Sequence, residues 1–179
     1  QHFAFNYRPV FKMGFKGIYE KAIETLKTAE TEEQKEFLTA LCEGLLCLKK
    51  ASEKFSLKAK TLTETAPDEE AKNNMLKIYE AAKRTPWEKP QSFYEALNCL
   101  AFCRKVMGAL EGIGFNSFGR VDLDLYPFYK KDIESGVLNE KEAYDLICKF
   151  LITFDMHYDH DMAMVGYADH ELENTYVLG

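Results

Sequence analysis

The stretch SFGRVDLDLYPFYKKDIESG, residues Ser117–Gly136, sets an arginine, acidic residues, aromatics and an internal proline side by side. No simple amphipathic helix requires that combination. Gly119-Arg120 reads as a tight backbone site followed by a side chain built for bidentate hydrogen bonding. Asp122 and Asp124 lie within reach of that guanidinium. Pro127 fits the first turn of a helix that then runs through Tyr129, Lys130 and Ile133.

Outward from this stretch the pattern is helical. Val10, Phe11, Phe15, Ile18, Ala22 and Leu26 recur near helical spacing from Tyr7 to about Lys27, with Gly14 and Gly17 as weak points or places of close approach. Thr31 with Gln34 forms a capping-box pattern that opens a second helix. Phe37, Leu38, Leu41, Leu45 and Leu48 lie on it, and it continues toward Phe55 with an apolar face wide enough to predict burial on more than one side. Residues Thr61–Pro67 form a polar break, and Asp68 starts a third helix through Met75, Ile78, Tyr79 and Ala82. TPWEKP, Thr85–Pro90, is a proline-bounded connection. Ser92 and Glu95 cap a fourth helix whose inner face is Phe93, Leu97, Leu100, Ala101 and Val106. Residues Gly108–Gly119 read as irregular. Asn139 and Glu142 cap a last helix, from Lys141 to about Phe154, that buries Tyr144, Ile147, Phe150 and Leu151. Asn174–Leu178, NTYVL, reads as a strand, with no partner in the pattern around it.

The 179 residues suit about one domain. A net charge of −6 lacks the basic face that nucleic-acid binding needs. No apolar run approaches a transmembrane span, and Gln1 begins neither a charged n-region nor a signal peptide. The five cysteines, Cys42, Cys47, Cys99, Cys103 and Cys148, are odd in number and sit in apolar helical patterns. That predicts free, buried thiols in a reducing cytoplasm. Cys99 and Cys103 share a helix face, but no second pair completes a metal site, so core packing is the preferred reading.

Gly119–Asp132 closely resembles the Gly-Arg-x-Asp…Leu-Tyr-Pro-Tyr-Tyr-x-x-Asp signature of glycyl radical enzymes, the pyruvate formate-lyase-like superfamily. Four further blocks follow the family order: HFAFNYRPVFKMGFKGI (His2–Ile18), TPWEKPQSFYEAL (Thr85–Leu97), Gly136 with Glu142-Ala143, and Asn174–Gly179. The resemblance implies a mainly α fold, the helical portion of a larger ten-stranded α/β barrel, with a short strand at its C-terminal end. Residues 1–179 would then be a single helical fragment from the N-terminal side of the enzyme. The family's catalytic cysteine loop and its radical glycine block are not matched; Gly166-Tyr167 shares only a dipeptide with the latter. No catalytic residue and no metal ligand is therefore assigned, and the chain is expected to be inactive alone.

The same resemblance implies the partners. They are the rest of the barrel, a small-molecule substrate, a second subunit in a homodimer, and an S-adenosylmethionine-dependent activating enzyme that installs the glycyl radical outside these residues. It also implies anaerobic lyase, dehydratase or formate acetyltransferase-like chemistry in the cytoplasm, with no cofactor bound by this chain, no nucleic acid and no membrane. A stand-alone helical interaction module derived from the family is the rival reading. For the site, the family places His2, Gly114, Phe115, Asn116 and Ser117 near the substrate pocket, although His2 reads equally as an unattached terminal residue. Hydroxyl-binding members carry His-Ser where Gly114-Phe115 stands, which makes a polyol substrate an unfavoured choice. Gly119, Arg120, Asp122, Tyr126, Pro127, Tyr129 and Asp132 form a structural signature. Arg120 and Asp122 are read as a buried ion pair holding the turn in preference to a pocket wall. Tyr126, Phe128 and Tyr129 are read as core packing between helix and barrel in preference to a stacking platform. His157, Asp159, His160, Asp161 and His170 match no known zinc spacing and are read as a solvated helix end.

Overall fold

The protein is described from a computed structural model. It covers residues 3–111 and 116–165, with side chains for residues 5–107 and 118–153. The chain divides into two compact units, residues 8–90 and residues 1–7 with 91–179. Among the described residues the regular secondary structure is helical apart from one parallel pair of two-residue strands.

Residues 8–90 hold three helices: α1 (Arg8–Leu26), α2 (Glu32–Leu62) and α3 (Glu69–Arg84). Gly14 breaks α1 with φ +67° and ψ 175°, a conformation in which a side chain is strained. The break leaves the next helical amides without acceptors one turn back. They bond instead to the following loop, Phe15 N–H to Pro86 O at 2.9 Å and Lys16 N–H to Trp87 O at 2.8 Å. The approach is so close that a Cβ on Gly14 would sit 2.4 Å from Trp87 O and 2.7 Å from Lys89 N. Tyr19 then lies 5.8 Å from the Trp87 ring, and Lys49 of α2 lies over that ring at 5.0 Å. Thr31 and Gln34 cap α2 reciprocally, and Asp68 accepts from Ala71 N–H at the start of α3.

Small polar residues make the α2–α3 seam. Ser52 is buried and donates to Ala82 O at 2.9 Å and Thr85 O at 3.1 Å, and buried Ser56 donates to Tyr79 O at 3.0 Å. Each hydroxyl satisfies itself on a neighbouring carbonyl, so burial costs little and the helices come close. The expected two-sided burial of α2 is not observed. Cys42, Leu45 and Ala59 are buried with the serines, while Phe37 and Phe55 are exposed. Among the cysteines, Cys47 is exposed rather than buried.

The other unit pairs β1 (Phe3–Ala4) in parallel with β2 (Asn116–Ser117), Phe3 opposite Asn116 and Ala4 opposite Ser117. Its helices are α4 (Phe93–Glu111), α5 (Val121–Glu134) and α6 (Glu140–Val165). The first-turn amides of α4 are satisfied from two directions. Ser92 Oγ accepts from Glu95 N–H at 3.1 Å, and the carboxylate of Asp132, 39 residues away, accepts from Phe93 N–H at 2.7 Å. Asp132 is buried, and its carbonyl also accepts from Val137 N–H at 2.9 Å in the turn that ends α5. Gly136 supplies the left-handed residue of that turn, φ +70°. Phe93, Ala96, Leu97, Leu100 and Cys103 make the buried stripe of α4.

Four expectations are corrected in this unit. Helix α5 begins at Val121, so Pro127 is internal and not in the first turn. Asp122 and Asp124 occupy the first turn, where negative charge suits the helix dipole. Helix α4 reaches Glu111 through part of the stretch read as irregular, and α6 continues to Val165, beyond Phe154. On α6, Ala143 and Phe150 are buried, whereas Tyr144 and Leu151 are exposed. The NTYVL strand lies outside the described residues.

Gly14→Ala should destabilise residues 8–90 by about 3 kcal/mol, since positive φ and a backbone clash act together. Gly44→Ala is its control. Nothing lies within 4 Å of a Cβ there, so exposed helical Gly44 should gain roughly 0.5–1 kcal/mol. Urea denaturation of both variants checks the contrast. Asp132→Ala should cost about 1.5–3 kcal/mol, the range for a buried hydrogen bond to a charged group. Lys131→Ala removes only an exposed 2.6 Å bond to Gln91 O and should stay within roughly 0.5 kcal/mol of the parent.

Candidate functional site

Two stretches read as pocket-facing, the opening segment and Gly114–Ser117, are far apart in sequence. Parallel pairing of Phe3–Ala4 with Asn116–Ser117 makes them backbone neighbours. His2, Gly114 and Phe115 lie outside the described residues, and the side chains of Asn116 and Ser117 are likewise not described. The chain after β2 is fixed. Phe118 is only 1% exposed and meets Phe150 of α6 edge-on, with ring centroids 5.6 Å apart. Gly119 follows at φ +64°, turning the backbone where a Cβ would meet nothing but would be strained.

Arg120 then folds onto Asp122. Its Nε donates to Oδ1 at 2.9 Å and its terminal nitrogen to Oδ2 at 2.8 Å, the planar two-point match of guanidinium and carboxylate. The pair is partly exposed, 35% and 26%, not buried as the sequence predicts. The hydrogen bonds it donates to Asp122 hold the guanidinium charged and raise its pKa above the ordinary value. With both carboxylate oxygens engaged, Asp122 is arranged as a brace for the turn into α5.

The remaining signature residues divide. Asp132 secures the start of α4, as described above. Tyr129 is half-buried and meets Phe93 edge-on at 5.8 Å. Tyr126 is 56% exposed. Its ring is tilted toward that of Tyr129 at 6.3 Å. Exposed Pro127 offers no amide to the helix.

One residue escaped the sequence reading altogether. Arg104 of α4 is 6% exposed, and its guanidinium carbon lies 5.8 Å from the centre of the Phe118 ring. Arg104 continues the helical spacing of Leu97 and Leu100. A charged residue on an apolar stripe was the available signal.

Cys99 and Cys103 are buried and free. The hydrogen bond that the Cys99 thiol makes with Cys103, together with burial, pushes Cys99 well above its ordinary range, so it is held protonated. That suits packing and opposes nucleophilic use. Among the described residues no cluster of three or more His, Cys, Asp or Glu is placed to hold a metal. Neither is any helix long and apolar enough to cross a membrane. His157, Asp159, His160 and Asp161 fall on the backbone of α6 without described side chains, and His170 lies outside the described residues.

Comparison with known proteins identifies the family. The profile of the family described as pyruvate formate lyase-like matches residues 1–168. A probable dehydratase, YbiW of Escherichia coli K12, is 27% identical over 153 residues, covering 82% of this chain and 19% of its own. Trans-4-hydroxy-L-proline dehydratase of Clostridioides difficile is 27% identical over 150 residues, covering 77% and 18%. The crystal structure of a glycyl radical enzyme from Archaeoglobus fulgidus superposes with a TM-score of 0.74 at 28% identity, covering 82% of this chain and 20% of that one. The chain thus spans about a fifth of the length of the relatives it matches. Its fold is the helical portion of that larger architecture, and the chain belongs to the pyruvate formate lyase-like family.

Proposed function

We propose that these residues are the N-terminal-side helical part of a glycyl radical enzyme, a radical lyase, dehydratase or formate acetyltransferase-like protein of the cytoplasm. In this reading the 179 residues act as one helical scaffold. Asn116 and Ser117, with His2, Gly114 and Phe115, contribute to the wall of the substrate pocket. The catalytic cysteine and the radical glycine belong to other parts of the complete protein, so this chain binds no cofactor and is inactive by itself. Its partners are the remainder of the barrel, a small-molecule substrate, a second subunit and the S-adenosylmethionine-dependent activating enzyme.

One observation carries the pocket assignment, the parallel pairing of residues 3–4 with residues 116–117. It makes neighbours of two stretches that the resemblance separately assigns to the pocket. Exposed large apolar side chains lend further support. Phe37, Phe55, Leu57, Tyr126, Tyr144 and Ile152 are all more than half exposed, as expected of surfaces that the rest of a larger protein covers. Arg120, Asp122 and Asp132 are assigned to the scaffold, since their hydrogen-bonding capacity is directed at the chain itself.

The radical assignment is tested by electron paramagnetic resonance. The complete protein, treated anaerobically with its activating enzyme and S-adenosylmethionine, should develop a glycyl radical signal, and residues 1–179 alone should not. A complete protein that cannot be activated would contradict the proposal. For the pocket wall, Asn116→Ala and Ser117→Ala in the activated enzyme should each raise KM about two- to tenfold, the loss of one hydrogen bond of roughly 0.5–1.5 kcal/mol. Unchanged KM and kcat in both variants would remove these residues from the wall.

A further inference from the structure

We infer that the exposed stripe of α2 is the face on which a second copy of this chain docks, with the two α2 helices antiparallel; the inference rests on the reading of a second subunit as a partner given above. The sequence predicts burial of α2 on more than one side, and among the described residues only one side is buried. Beside the buried stripe, from Phe37 to Phe55, a small or apolar residue recurs at alternating steps of four and three, with Leu41, Gly44, Leu48 and Ala51 in between. Lys58 and Leu62 carry the pattern to the end of α2. Such a repeat is the seam by which one long helix packs along another. Phe37 is 66% exposed and Leu62 38%, and Phe55, which also has an interaction within the chain, is 56% exposed. A Cβ on Gly44 would meet nothing within 4 Å, so the space above it is open.

Charge and side-chain size select the occupant. Residues 32–46 carry four acidic residues and one basic, and residues 47–62 carry five basic and one acidic. The helix dipole favours such charges only in the first and last turns. It does not account for Glu43, Lys50 and Lys54, which are exposed in the interior of α2. A second copy laid parallel would set acid against acid and base against base. Laid antiparallel, it sets each acidic half against a basic half, and a twofold axis makes the same contact twice. With that axis between Lys49 and Lys50, Leu48 meets Ala51 of the other copy, Phe55 meets Gly44, and Leu62 meets Phe37. In the first two of these layers a large side chain faces a small one, so the helices close together without a void. Lys58 meets Leu41 and lies beside the acidic half of the other helix. A lysine at a seam position fixes the pairing at some cost in strength.

Sedimentation equilibrium of the 179-residue chain tests this. The chain should form a dimer with a dissociation constant below about 100 μM, weakened by added salt. Gly44→Gln puts a helix-favouring side chain into the space that Phe55 of the other copy takes. It should raise the dissociation constant at least tenfold with helicity retained by circular dichroism. Lys50→Glu with Lys54→Glu should also weaken the dimer at least tenfold. Adding Glu36→Lys and Glu43→Lys to that variant should restore most of the affinity, because both copies then carry the swapped pattern. Restoration requires an antiparallel second copy; a seam covered by the remainder of the polypeptide or by another protein gives none. A chain that stays monomeric, a dimer indifferent to Gly44→Gln, or a four-residue swap that restores nothing would each overturn the inference. No arm needs the radical. A complete protein that stays dimeric with Gly44→Gln would overturn this face and leave the second-subunit reading in place.

Discussion

The hydrogen bond from Phe93 N–H to the Asp132 carboxylate is the interaction on which residues 91–165 depend. A helix start leaves several amides without partners, and a negative charge placed there answers both the missing hydrogen bond and the dipole. Asp132 does this from the far end of another helix. Its carbonyl meanwhile accepts from Val137 N–H and closes α5. One buried residue thus fixes where α4 begins, where α5 ends and how the two lie together. The later turns of α4 then carry Arg104 to Phe118. In residues 8–90 the corresponding constraint is negative, the absence of a side chain at Gly14. Only there can the loop at Pro86–Lys89 come near enough to satisfy the amides of Phe15 and Lys16.

Local chemistry was legible in the sequence, and remote chemistry was not. Thr31 with Gln34, Asp68, Ser92 with Glu95, and Asn139 with Glu142 all cap helices as their spacing predicts. A cap needs only residues three apart, so its whole mechanism is written in one short stretch. The Asp132–Phe93 bond spans 39 residues, and the β1–β2 pair joins two segments of one unit that residues 8–90 separate in sequence. Nothing in residue spacing reports such contacts. Pro127 misled for a related reason. Proline favours a first turn, but Asp122 and Asp124 had already started the helix, and tertiary packing retained it past a missing amide. Phe37 and Phe55 misled because periodicity tells which residues share a face, not whether anything in the described residues covers it.

The candidate site was legible as an address more than as a mechanism. The Gly-Arg-x-Asp signature announced the family, and the geometry gives its residues structural tasks. Arg120 and Asp122 brace one turn, Tyr129 packs on Phe93, and Asp132 ties two helices. Segments used as scaffold can hold a sequence pattern as tightly as a reaction centre does, because a bidentate ion pair or a buried cap tolerates few alternatives. The functional interest moves to the short strand just before the signature.

The most direct test of this division between scaffold and site is a crystal structure of the complete protein with its substrate or a close analogue bound. The account predicts that Asn116 or Ser117 lies in contact with the bound molecule. It also predicts that Arg120 remains paired with Asp122 and Asp132 with the Phe93 amide, none of these groups touching the ligand. A ligand held by Arg120, Asp122 or Asp132, with residues 116–117 turned away from it, would contradict the account.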